Sequence, residues 1–130
     1  MNMIEFHLDA RSGVPTYLQI VQQVRQAIRL GLLAPGDQLP TVKDVVAHLA
    51  INPNTVLKAY RDLDHEGLVE ARRGQGTFVS SRLIPDPPPD VAGLQRELGD
   101  WVKRARAAGV DDEGLYALFG TVLHRMERAA

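Results

Sequence analysis

Apolar residues recur along this chain at two spacings, and the switch between them marks out its elements. Residues 3–8 alternate apolar and polar, the period of a short half-buried strand. Arg11 to Pro15 then read as a turn, after which Thr16 is placed to cap a helix over 17–30 whose buried stripe is Tyr17, Val21, Val24 and Ile28, broadened by Leu18, Ile20 and Ala27. Gly31 ends it, and Pro35-Gly36 is a strong breaker pair. Thr41 with Asp44 three residues on forms a capping box, opening a short helix over 42–50 that buries Val45, Val46 and Leu49.

The next stretch has both helix ends written into it. Asn52 is a good N-cap, Pro53 suits the first helical position, and Gly67 stands just past the far end. Val56, Ala59, Tyr60 and Leu63 form one apolar stripe, which leaves Asn54, Thr55 and Lys58 off it near the front of the helix. Such short or flexible hydrogen-bonding side chains are what a helix in a DNA major groove presents. On this segment alone, a plain amphipathic helix with its polar side in water accounts for the pattern equally well. Two short helices joined by a tight turn, the second capped and polar at its front, follow helix-turn-helix grammar.

After Gly67 the period changes to that of strands, over 68–72 and 77–80, around the loop Arg73-Gly74-Gln75-Gly76. The hairpin carries Arg72 and Arg73 beside two glycines, so cations stand where a backbone can approach closely. A hairpin directly after a helix-turn-helix is a wing. Leu83 to Asp90 form a proline-rich stretch, read as a stiff spacer in preference to an SH3-type ligand.

Two further helices follow. Asp90 caps the first, with a stripe of Leu94, Leu98, Trp101, Val102 and Ala105, and Gly109 breaks it. Asp111 caps the second, with Leu115, Leu118, Phe119, Val122 and Met126 on one face. About forty residues are too few for a self-sufficient core. Their apolar faces must dock on the first domain or on a second copy, and the stiff spacer favours the second copy. The fold class expected is α+β, mostly α: a winged helix-turn-helix over 1–82, a linker over 83–90, and a two-helix dimerisation hairpin over 91–130.

Composition narrows the function. The chain has no cysteine, which removes disulfides and thiol chemistry, and its four histidines are scattered without ligand spacing. No metal or other cofactor is expected. There is neither a signal peptide nor a long apolar run, so a cytoplasmic address without membrane contact is the default. The net charge of −1 does not advertise a nucleic-acid binder. Residues 1–82 hold nine Lys/Arg against eight Asp/Glu, and residues 83–130 six against eight. DNA affinity must therefore come from a local cluster, for which Lys43, Lys58, Arg72 and Arg73 are the phosphate candidates, with Asn54, Thr55 and Gln75 reaching bases.

Pro15-Thr16-Tyr17, Pro35-Gly36-Asp37-Gln38-Leu39-Pro40-Thr41-Val42, Asn52-Pro53-Asn54-Thr55-Val56 with Lys58-Ala59-Tyr60, and Gly74-Gln75-Gly76-Thr77-Phe78-Val79 together resemble the GntR family of bacterial transcription regulators. The Asn-Pro-Asn-Thr-Val form and the short tail resemble its YtrA subfamily. The resemblance implies a winged-helix repressor acting as a homodimer on a pseudo-palindromic operator, in this subfamily often upstream of its own operon and beside transporter genes. It carries DNA contacts onto Lys43, Asn52, Asn54, Thr55, Gly74, Gln75 and Gly76. Many members have arginine in place of Lys43, and members outside the subfamily often have arginines where Pro53 and Leu57 stand, so base readout rests elsewhere here. Larger relatives append a ligand-binding or aminotransferase-like domain. The 48 residues after Arg82 are too few for either, and no lysine suggests a pyridoxal site, so an enzyme is not expected. The other reading is a winged helix that binds only protein. A small-molecule effector is left open, since Trp101 and Phe119 at helical spacing are core more often than pocket wall.

Overall fold

The computed structural model describes residues 4–83 and 90–129. It divides into two compact units, 1–89 and 90–130. The linker expected over 83–90 falls almost wholly on residues 84–89, outside the described residues.

In the first unit, α1 (Thr16–Arg29), α2 (Val42–Leu49) and α3 (Pro53–His65) precede a hairpin of β1 (Val69–Arg72) and β2 (Gly76–Val79). α3 contacts α1, α2 and β1, and its stripe of Val56, Ala59, Tyr60 and Leu63 is wholly buried. Against it lie Ile20, Val21 and Val24 of α1, Val45 of α2, Leu33 and Leu39 from the connecting segment, and Val69 and Val79 of the hairpin. Burying each larger aliphatic side chain contributes about 1.5–3 kcal/mol, so this interior fixes the angle at which α3 leaves the body. The Tyr60 hydroxyl donates to Pro40 O at 2.6 Å inside it. Burial is the main cause, and nearby Asp44 the second, of a Tyr60 pKa raised far above the ordinary tyrosine value.

The helix ends follow local chemistry. Thr41 Oγ1 accepts from Asp44 N–H at 3.1 Å, and Asn52 Oδ1 from Asn54 N–H at 2.8 Å. Gly67, at φ +78, lets Leu68 N–H turn back to Leu63 O at 3.0 Å. Thr16 departs from expectation. It is the first residue of α1, not its cap, and Pro15 holds the cap position with no side-chain bond. Because Pro15 is already confined to a φ that leads into a helix, the helix starts one residue sooner than a threonine cap would allow. The α1 stripe is also turned: Ile20 and Ala27 are buried outright, whereas Tyr17 and Ile28 are half-buried.

Among the described residues 4–8 there is no strand. The alternation expected of one is nevertheless real, for Phe6 is buried between exposed Glu5 and His7. Its partner is a side chain: Gln23 Oε1 accepts from His7 N–H at 3.1 Å and Gln23 Nε2 donates to His7 O at 2.6 Å, imitating a neighbouring strand. Gln19 continues this, accepting from Asp9 N–H at 2.8 Å and donating to Val14 O at 2.9 Å.

β1 and β2 pair antiparallel from Val69–Val79 to Arg72–Gly76. The loop is therefore three residues, Arg73 to Gln75, one shorter than expected. Gly76 joins β2 by pairing with Arg72, at a φ of +125 that a residue without Cβ adopts readily.

In the second unit, α4 (Val91–Ala107) and α5 (Asp112–Ala129) contain no buried residue. Asp90 Oδ1 accepts from Gly93 N–H and Asp111 Oδ1 from Gly114 N–H, capping both helices as expected. Leu94, Leu98, Leu118, Phe119, Val122, Leu123 and Met126 are all exposed, and Trp101, Val102 and Leu115 half-buried.

Candidate nucleic-acid interface

The front of α3 is built to be held from behind and left open ahead. Asn52 uses its carbonyl oxygen for the cap, and its carboxamide N–H groups remain donors. Pro53 fixes the first turn, and the first-turn N–H groups bring the positive end of the helix dipole to the same place. Asn52, Asn54 and Lys58 are exposed and Thr55 half-buried. These four line an open depression of about 420 Å³ together with Thr16 and Tyr17 of α1. Lys58 Nζ lies over the Tyr17 ring, 4.0 Å from its centroid. The aromatic face steadies a long flexible cation and keeps its ammonium at the rim.

Thr16 and Tyr17 are the residues that pattern reading missed. Periodicity assigned Tyr17 to the buried stripe and Thr16 to a cap, whereas both face the depression. The available signal was the aromatic itself, since a tyrosine at the first turn of a helix can offer a ring face to a cation.

The remaining predicted residues lie outside this depression. Lys43 is exposed on the first turn of α2. In the wing, Arg73, Gly74 and Gln75 are exposed at the tip, closed by Gln75 N–H donating to Arg72 O at 2.9 Å. Arg72 is held back from the tip. Its guanidinium carbon is 4.1 Å from the Phe78 ring centroid, and its Nε is 4.0 Å from Glu70 Oε2. Glu70 in turn accepts from Ser81 N–H at 2.9 Å, the main reason its carboxyl is held below the usual glutamate range. The dimerisation candidates Leu94, Leu98, Trp101, Val102, Leu115, Leu118, Phe119, Val122 and Met126 all lie on α4 and α5. No cluster of three or more potential metal ligands occurs among the described residues, and no described helix is long and apolar enough to cross a membrane.

Residues 16–79 match the model of the gntR family of bacterial regulatory proteins. The HTH-type transcriptional repressor YtrA of Bacillus subtilis is 45% identical over 110 residues, which span 84% of this chain and 85% of that protein. The chain belongs to the GntR family. It is a winged-helix transcriptional regulator of the YtrA type. Among solved GntR structures, YtrA from Sulfolobus acidocaldarius aligns with a TM-score of 0.54 and 26% identity, covering 94% of this chain and 99% of that one. The DNA-binding domain of AraR in complex with operator ORX1 aligns with a TM-score of 0.50 and 26% identity, covering 60% of this chain and 94% of that one.

Proposed function

We propose that this chain is a cytoplasmic homodimeric repressor that reads a pseudo-palindromic operator with α3 and grips its backbone with the wing. The observation that carries the reading is the front of α3, where Asn52, Asn54, Thr55 and Lys58 share one uncovered depression at the positive end of a helix. In this reading Asn54 and Thr55 meet base edges, with Gln75 reaching from the wing. Lys43, Lys58 and Arg73 hold phosphates, Arg72 joins them only by leaving Phe78 and Glu70, and Asn52, Gly74 and Gly76 let backbone and cap approach the duplex. The exposed apolar residues of α4 and α5 support pairing with a second copy, since seven large apolar side chains stand uncovered on two helices that bury no described residue of their own. Two heads joined this way meet half-sites about one helical turn, ~34 Å, or a multiple of it apart. Repression is occlusion of the promoter.

Selecting bound duplexes from random-sequence DNA tests this. The expected winners are two-fold symmetric and lose affinity steeply with salt. Asymmetric winners would remove the homodimer from the account. Binding that is absent or insensitive to salt would replace DNA with a protein partner.

A further inference from the structure

Gln38 has no part in the interface described above. It lies in the segment entering α2, and its backbone bridges Phe78 in antiparallel fashion. Leu39 N–H donates to Thr77 O at 2.8 Å, and Val79 N–H to Asp37 O at 2.7 Å. This segment is thus a short third strand on the open edge of β2. Side chains alternate across a sheet, so Gln38 shares a face with Phe78 and Gly76. There Gln38 Nε2 donates to Gln75 O at the wing tip, at 3.2 Å. A Cβ on residue 76 would stand 2.8 Å from that same nitrogen. The side chain missing at Gly76 is the space that the Gln38 carboxamide occupies.

We propose that Gln38 is a positioning residue for the wing, tying the Arg73–Gln75 tip to the entrance of α2 and so fixing its height over DNA. The proposal rests on the DNA-binding reading above. A two-stranded ribbon is marginal alone, and a tip with Gly74 has many conformations to lose. A bond from the tip to the body orders it before DNA arrives, which lowers the entropy lost on binding. Since Gln38 is half-exposed, the bond contributes little to global stability.

The full chain carrying Gln38→Met, equal in length but without a donor, is compared with wild type on a duplex enriched from random DNA. Hydroxyl-radical footprinting is read position by position. The expected result is binding weakened about fivefold to tenfold, the size of one hydrogen bond. Protection is lost at the flanks where the wing lies and kept at the centre of each half-site. Gln38→Glu, which faces a carboxylate to the Gln75 carbonyl, gives the same pattern more strongly. Adding Gln75→Ala to Gln38→Met has less effect than the two separate losses combined. Unchanged affinity, or a uniform loss across the footprint with both variants folded by circular dichroism, overturns the positioning role. A wild-type chain that protects no duplex overturns the DNA reading instead.

Discussion

Asn52 offers the sharpest separation of stability from recognition, because one side chain performs two tasks with different atoms. Its Oδ1 caps α3, accepting from Asn54 N–H at 2.8 Å, while its carboxamide N–H groups border the depression. Asn52→Ala removes both. The lost cap costs about 1 kcal/mol, which in a domain of this size lowers Tm by about 4–8 °C. Asn52→Asp keeps the acceptor and places a negative charge at the positive helix end, worth ~0.3–1 kcal/mol in favour of folding. Its stability should equal or exceed that of wild type. Binding should move the other way. Losing a donor removes about 1 kcal/mol, and a carboxylate roughly 4 Å from a phosphate adds about 1 kcal/mol of repulsion even in water. Together these weaken operator binding about 30-fold. The assays are thermal unfolding by circular dichroism and fluorescence anisotropy on a selected duplex. If Asn52→Asp bound like wild type, the front of α3 would not lie against DNA. If Asn52→Ala unfolded at the wild-type temperature, the cap would not hold the helix.

Three further outcomes are expected. Lys43→Ala weakens all duplexes alike and lowers the slope of log affinity against log salt by about one unit, read from titrations on random DNA. Tyr60→Phe leaves the buried Pro40 carbonyl without its donor and destabilises the fold by about 1–3 kcal/mol in denaturant unfolding. In the wild type the folded state keeps the Tyr60 proton to higher pH than the unfolded chain, so this contribution is present below about pH 10 and lost above it. Leu118→Glu with Val122→Glu charges the exposed face of α5, and sedimentation should then give a monomer that binds single half-sites without cooperativity.

What was legible in the sequence was what single residues encode. Asn52, Pro53 and Gly67 each dictate a backbone conformation, so α3 could be bounded without coordinates. Thr41 and Asp44 did the same for α2. Thr16 misled because a good cap residue after proline is already inside the helix. The strand expected near the N-terminus failed for a different reason: alternation reports burial, and Gln23 supplies the edge that a strand would. The third strand around Gln38 had no pattern at all, being a single bridged residue just past the Pro35-Gly36 turn. Tyr17 and Thr16 could not be joined to Lys58 because that contact spans some forty positions and depends on how α1 crosses α3.

No described residue of α4 or α5 is buried, and this reaches beyond architecture. If a second copy covers this surface, function is tied to abundance. If pairing precedes DNA binding, then at low copy number operator occupancy follows the square of protein concentration. Halving the regulator would cut bound operator about fourfold. A gene switch of that kind would be set by supply, through the apolar side chains proposed to pair the two copies.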